Sequence, residues 1–291
     1  MEKAQTQDVL LDGFATYLRE EKGRREKTVE NYQRYIARFL KHSHIRHAQD
    51  VSPEAIQSFL TWLSSQKTPG DKSLTNKTQN YYRIALRSFI QYLNTENKTV
   101  SDAKSITLLA SEHSKPDTLT ELECEALLEC PCANTSMDLR DKAIVTTLLY
   151  TGMRISELCA LRKENLSEKS FVFEVRGKNR TLPLYPEVTH ALESYLSVRR
   201  DNDPALFVNN GKRNSEDGSI ALTPRSVQRI VSAYAKKAGI EKTVTPKTLR
   251  HTRAMFVLQN GSDIDDFQKT LGYTHKTSTK AYLHLLNDIK K

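Results

Sequence analysis

The side chains of this 291-residue chain that could do chemistry together lie in its C-terminal part: Arg154, Lys178, Lys247, Arg250, Tyr273 and Tyr282. Two arginines can hold the two non-bridging oxygens of one phosphodiester and stabilise the charge of a pentacoordinate transition state. A lysine on a hairpin can donate a proton to a leaving 5′ oxygen. A tyrosine hydroxyl can be the nucleophile. Read together, these residue types describe metal-free phosphoryl transfer through a phosphotyrosine. The chain shows no phosphate-binding Gly-rich loop and no Ser/His/Asp set. Cys124, Cys130, Cys132 and Cys159 lack the paired spacing of a zinc site and read as reduced thiols. The three histidines at 42–47 (HSHIRH) have no carboxylate or Cys to complete a ligand set. No metal is expected.

The elements that must position these residues are legible in outline. The stretch 141–166, DKAIVTTLLYTGMRISELCALRKENL, begins as an apolar helix with Ile144, Val145, Leu148 and Leu149 at helical spacing. Thr151-Gly152 breaks it, and a second helix carries Ile155, Leu158 and Leu161. Arg154 falls on the turn between them. A lone Arg there is read either as an ion pair to Glu157 or as a guanidinium held for a phosphate. Ser170–Arg176 and Thr181–Leu184 read as a hairpin, with residues 177–180 as its turn and Lys178 at the tip. An ordinary solvated loop lysine is the competing reading. Thr245-Pro246 opens a helix whose Lys247 and Arg250 share a face, where two cations near a helix N-terminus suggest a bound anion.

Before residue 95 the periodicity predicts four amphipathic helices: about 8–21, from an N-cap at Thr28 to about 41, from Ser52-Pro53 onward, and about 75–94. They make a helical-bundle domain over 1–98. Residues 99–117 are polar and end near Pro116, which reads as a linker, and 118–291 form a second domain opening on the capping box of Thr120 and Glu123. The expected class is mainly α: a helical bundle plus a mostly helical α/β domain with a small hairpin. Net charge is +9, with 18 Lys/Arg against 13 Asp/Glu up to residue 116 and 26 against 22 after it. Two positive halves suit two domains gripping one polyanion. Arg24, Arg25, Lys77, Arg83 and Arg87 are the candidates for that contact in the first half. No run approaches a membrane span, and the polar, acidic N-terminus is unlike a signal peptide, so a cytoplasmic protein is expected, and the charge by itself does not separate DNA from other anionic partners.

In order along the chain, TGMRISEL, RGKNRTLPL, TPKTLRHT and LGYTHKTSTKAYLH resemble the motifs of the tyrosine recombinases, the phage integrase family that includes Xer-like enzymes. The resemblance covers nearly the whole length. It implies Arg154 and Arg250 as the two arginines, Lys178 as the hairpin lysine and Tyr282 as the nucleophile, with Glu157 and His251 supporting them. Two positions depart from the usual pattern: Lys247 stands where the family has His, and Tyr273 where it has His or Trp. Lysine can still hydrogen-bond or move a proton, and the tyrosine hydroxyl can still donate to phosphate. The resemblance further implies no metal and no nucleotide cofactor, an N-terminal DNA clamp, cleavage to a 3′-phosphotyrosyl bond, exchange through a Holliday junction, and four protomers on two DNA sites. Those sites would be duplexes with inverted motifs, with accessory DNA-bending proteins as further partners. Leu283, Leu285, Leu286 and Ile289 would form a short apolar plug for a neighbouring protomer. The first clamp helix begins near residue 8, which favours Xer-type or transposon-resolution enzymes over arm-binding integrases. The alternatives are a type IB topoisomerase and a site-specific DNA-binding regulator whose catalysis has decayed.

Overall fold

The computed structural model describes residues 7–68, 70–96, 102–110, 117–131, 134–175, 177–209, 220–261 and 271, with only the backbone described at 175 and 178. The chain divides into two compact units, Met1–His113 and Ser114–Lys291. Among the described residues, no helix is long and apolar enough to cross a membrane.

Four helices build the first unit: α1 (Gln7–Glu20), α2 (Glu26–His42), α3 (Pro53–Ser65) and α4 (Asn76–Thr95). Each buries the stripe its periodicity announces, and Phe14, Phe39, Phe59 and Phe89 are fully buried where the stripes meet. Ser52 and Thr75 cap α3 and α4 by accepting from the amides of Ala55 and Thr78. The start of α2 differs from expectation. Arg25, not Thr28, is the N-cap, and Thr28 lies inside the first turn, its amide bonded to the Arg25 carbonyl.

The described part of the 99–117 segment, expected as a linker, lies along α4. Ala103 and Ile106 are buried in the first unit's core. Asn80 Nδ2 donates to the Leu109 carbonyl and its Oδ1 accepts from the Leu109 amide. Polar composition hid this, because only Ala103 and Ile106 supply apolar burial and the remaining contacts are made by α4 side chains with the segment's backbone.

The second unit comprises α5 (Glu121–Glu129), α6 (Ser136–Thr151), α7 (Ile155–Ala160), β1 (Ser170–Val175), β2 (Lys178–Pro183), α8 (Pro186–Val198), α9 (Pro224–Lys237) and α10 (Pro246–Gln259). Helix α6 packs against α5, α8, α9 and α10, and Ile144, Val145, Thr147 and Leu148 are fully buried. It is the central rod of this unit. The entry to the unit is latched at α10, where the Leu119 amide donates to Thr252 Oγ1 at 2.9 Å.

The hairpin turn is shorter than expected. Val175 pairs with Lys178, which leaves two residues of sequence between the strands, and Gly177 has φ +71°. Two-residue hairpin loops need positive φ to match the twist of the flanking strands, and glycine supplies it without steric penalty. Lys178 therefore opens β2 rather than sitting mid-turn, and Arg180 belongs to the strand, paired with Phe173.

Gly152 ends α6 in the left-handed conformation, φ +60°, and a Cβ there would sit 2.6 Å from Leu271 Cδ2 and 3.2 Å from Arg253 Cγ. Gly239, at φ +73°, has nothing within 4 Å of such a Cβ. Gly152→Ala should therefore cost about 2–4 kcal/mol, left-handed strain plus overpacking. Gly239→Ala should cost only about 1–2 kcal/mol of backbone strain. Urea denaturation of the two variants measures the difference, and equal losses would show that the Leu271 contact adds nothing.

Candidate active site

Arg154 is the N-cap of α7, in extended conformation with φ −73° and ψ 148°. Its position follows from the glycine: a left-handed residue turns the chain out of α6, and Met153 and Arg154 cross to the next helix. Glu157, three residues on, secures the junction. Its Oε2 accepts from the Arg154 backbone amide at 2.7 Å, and its Oε1 accepts from Arg154 Nη1 at 2.8 Å. The ion pair that the sequence allows is thus present, and the Arg154 side chain keeps 37% exposure while Glu157 keeps 6%.

Glu157 Oε1 also accepts from Arg180 Nη1, at 2.6 Å. Burial pushes the Glu157 carboxyl toward a higher pKa. The Arg154 amide bond and the Arg180 and Arg154 charges outweigh that, so its pKa falls below the ordinary value. Burial depresses the Arg180 pKa, and the nearby charges of Arg250 and Arg154 push the same way against the attraction of Glu157.

Arg250 reaches the junction from α10. Its Nη1 donates to the Gly152 carbonyl at 2.6 Å, and its Nη2 donates to the Leu271 carbonyl. It is buried, whereas Lys247, one turn earlier on α10, is exposed. The two cations that share a helix face in sequence therefore have different environments. His251 is partly buried beside them, and burial together with the Lys247 and Arg250 charges pushes its pKa down to about 4. It is neutral at pH 7.

The fold thus brings together Arg154, Glu157, Arg180 and Arg250, and Lys178 opens β2 two residues before Arg180. Tyr273, Tyr282 and the apolar residues of the expected C-terminal plug lie outside the described residues. Leu271, two residues before Tyr273, is buried, and its carbonyl is held by Arg250. In the first unit, Arg24, Arg25 and Lys77 are exposed. Arg83 and Arg87 are engaged otherwise: Arg83 Nη1 donates to the Thr107 carbonyl at 3.0 Å and Arg87 Nε to that of Ile106 at 2.6 Å.

Two residues escaped sequence reasoning. Arg180 was hidden by a turn drawn two residues too long. Arg253 packs its Cβ and Cγ against Gly152, stacks its guanidinium 4.7 Å from the Tyr185 ring centroid and donates to Tyr185 Oη at 2.5 Å. No local signal marks Arg253 or Tyr185, because their contact spans 68 positions.

Residues 117–288 match the phage integrase family, and residues 11–97 match the N-terminal SAM-like domain of phage integrases. The chain belongs to the phage integrase family. It is 32% identical to tyrosine recombinase XerA of Pyrococcus horikoshii, over 97% of this chain and 93% of that protein. Identity is also 32% to tyrosine recombinase XerD of Oceanobacillus iheyensis, over 94% of this chain and 93% of that one. Its fold is that of a lambda integrase solved as a tetramer bound to a Holliday junction, with TM-score 0.71 and 17% identity over 97% of this chain and 78% of that one. As a tyrosine recombinase it catalyses DNA cleavage and rejoining through a tyrosine intermediate, in site-specific recombination.

The His251 environment has a pH consequence. An unfolded His titrates near 6.5, whereas the folded one holds off protonation until about 4. Between those values the unfolded chain binds more protons, so stability is full above pH 6.5, declines as pH falls through the window, and stops declining below pH 4 on this account. Thermal unfolding midpoints of the wild type and His251→Gln, measured from pH 7 to 4, should show a shallower decline in the variant. Parallel curves would remove His251 as the cause.

Proposed function

We propose that Arg154 and Arg250 form the phosphate clamp of this recombinase. The observation that carries the reading is the bond from Arg250 Nη1 to the Gly152 carbonyl, which joins residues 98 positions apart and places the second arginine at the turn that presents the first. Mutual repulsion among these guanidiniums is offset in part by Glu157, and a phosphodiester would offset more of it. Each arginine offers hydrogen bonds to a non-bridging oxygen and stabilises the added charge of the pentacoordinate phosphorus.

Tyr282 is then the nucleophile. Its oxygen attacks the scissile phosphorus as its proton passes to solvent water, and the bond to the 5′ oxygen breaks. Lys178 gives that oxygen a proton, which leaves a 3′-phosphotyrosyl bond and a free 5′-OH. Lys247 and Tyr273 supply the remaining donors to the phosphate. Attack by a 5′-OH from the partner duplex reverses the step and releases the tyrosine, first on one strand pair to give a Holliday junction and then on the other. The assembly is a tetramer on two duplex sites with inverted motifs, with accessory DNA-bending proteins as further partners. The first unit serves as the DNA clamp, in which the exposed Arg24, Arg25 and Lys77 contact backbone phosphates. Arg83 and Arg87 would reach DNA only by leaving the 106–107 carbonyls. The biological setting is cytoplasmic: integration, excision or resolution of a mobile element or replicon.

A nicked suicide duplex, built on a site selected by the protein from random-sequence DNA, tests the roles. Wild type should accumulate a covalent adduct, and Tyr282→Phe should bind the same duplex without forming any. An adduct persisting in Tyr282→Phe assigns the nucleophile elsewhere, with Tyr273 the first candidate. Arg154→Lys should fold and bind but cleave roughly 10²–10³-fold more slowly, the loss typical of removing one preorganised donor. Near-normal cleavage would refute the clamp.

A further inference from the structure

Arg180 invites a second question, because hairpin packing alone explains only half of what it does. Its guanidinium carbon lies 5.9 Å from the ring centroid of Phe173, its register partner across the hairpin. That contact would hold the side chain on the hairpin with any partner at its tip. The tip is instead bonded to Glu157 on α7, at 2.6 Å, with both side chains at or below 10% exposure. The acceptor is Oε1, the same oxygen that Arg154 Nη1 uses.

We propose that Arg180 is a positioning residue: by gripping Glu157 Oε1 it fixes the carboxylate that orients Arg154, and it ties the strand opening at Lys178 to the arginine junction. This rests on the recombinase reading of the site. The physical case is one of constraint. A glutamate three residues from a partly exposed arginine holds a weak, screened pair. Here the carboxylate is buried, one oxygen is committed to the Arg154 amide, and the other is shared by two guanidiniums. Arg154 can satisfy that oxygen only from the side that Arg180 leaves open. Because Arg180 lies two residues beyond Lys178 on β2, any shift of the hairpin relative to α7 is felt at Arg154. The lysine's strand and the first arginine therefore move as one piece.

The test is the Arg180→Gln variant in the full-length protein, with three readouts. On the suicide duplex, single-turnover cleavage should fall on the order of 10²-fold, the loss expected from a misplacement of about 1 Å. The dissociation constant for the uncleaved duplex should change less than about threefold, because the clamp contributes few of the DNA contacts. Added to Arg154→Lys, the substitution should cost less than about threefold more, since residues that act through one another are not additive. A crystal structure of Arg180→Gln should show the Arg154 guanidinium moved from its 2.8 Å contact with Glu157.

Wild-type cleavage by Arg180→Gln, or a loss that multiplies in full on the Arg154→Lys background, overturns the proposal. So does an Arg154 guanidinium that stays in place in the variant crystal, and this readout holds whether or not the wild type cleaves. Absence of an adduct from the wild type itself counts against the recombinase reading of the site instead. If Arg180→Gln does not fold, Arg180→Lys retains the charge beside Glu157 without the planar fork. It should lose about tenfold in cleavage at unchanged binding. Full cleavage with Arg154 unmoved overturns the proposal there as well.

Discussion

The C-terminal unit depends on the absence of one Cβ atom. Gly152 takes the left-handed conformation that ends α6, and its bare α-carbon lets Leu271 and the Arg253 stem close over it. Its carbonyl accepts from Arg250 on α10, and two residues later the chain has become the N-cap of α7. One residue thus sets where the central helix stops, where the first arginine starts, and what the second arginine holds. A side chain at this position would separate all three, because a protein interior has no slack to absorb an added carbon.

Around that point the electrostatics are arranged as a compromise. Buried cations are costly unless a carboxylate or a bound anion compensates them. Glu157 answers part of the demand and is itself stabilised as an anion by the Arg154 amide and two guanidiniums. The arrangement leaves Arg154 more exposed than Arg180, which is the distribution expected if one is to meet DNA and the other is to hold the first in place. His251 is kept neutral first by its burial and then by the same crowding of positive charge.

The N-terminal unit follows a simpler physical rule. Four amphipathic helices bury aromatic stripes against one another, and the 102–110 segment is held on α4 by Asn76, Asn80, Arg83 and Arg87 through main-chain carbonyls. Arg83 and Arg87 bind the protein's own backbone, while Arg24, Arg25 and Lys77 stay exposed.

Much of this was legible before any coordinates. Periodicity placed the helices, because a stripe recurring each turn has no other way to be buried. The glycine after α6 and the caps at Ser52, Thr120 and Thr245 marked helix ends, though Thr28 did not, since local backbone sterics and local hydrogen bonds decide most of them. Motif order pointed to Arg154, Lys178, Arg250 and Tyr282 as the residues of the proposed site, and of these Tyr282 lies outside the described residues. Boundaries set by pairing were less legible: the hairpin turn was drawn too long because strand register is fixed by a partner strand, not by local composition. What only the tertiary structure decided is the sharing of Glu157 by Arg154 and Arg180, the grip of Arg250 on Gly152 and Leu271, and the stacking of Arg253 on Tyr185. Each joins elements distant in sequence, and no residue carries in its own identity the position of a partner that the fold brings to it.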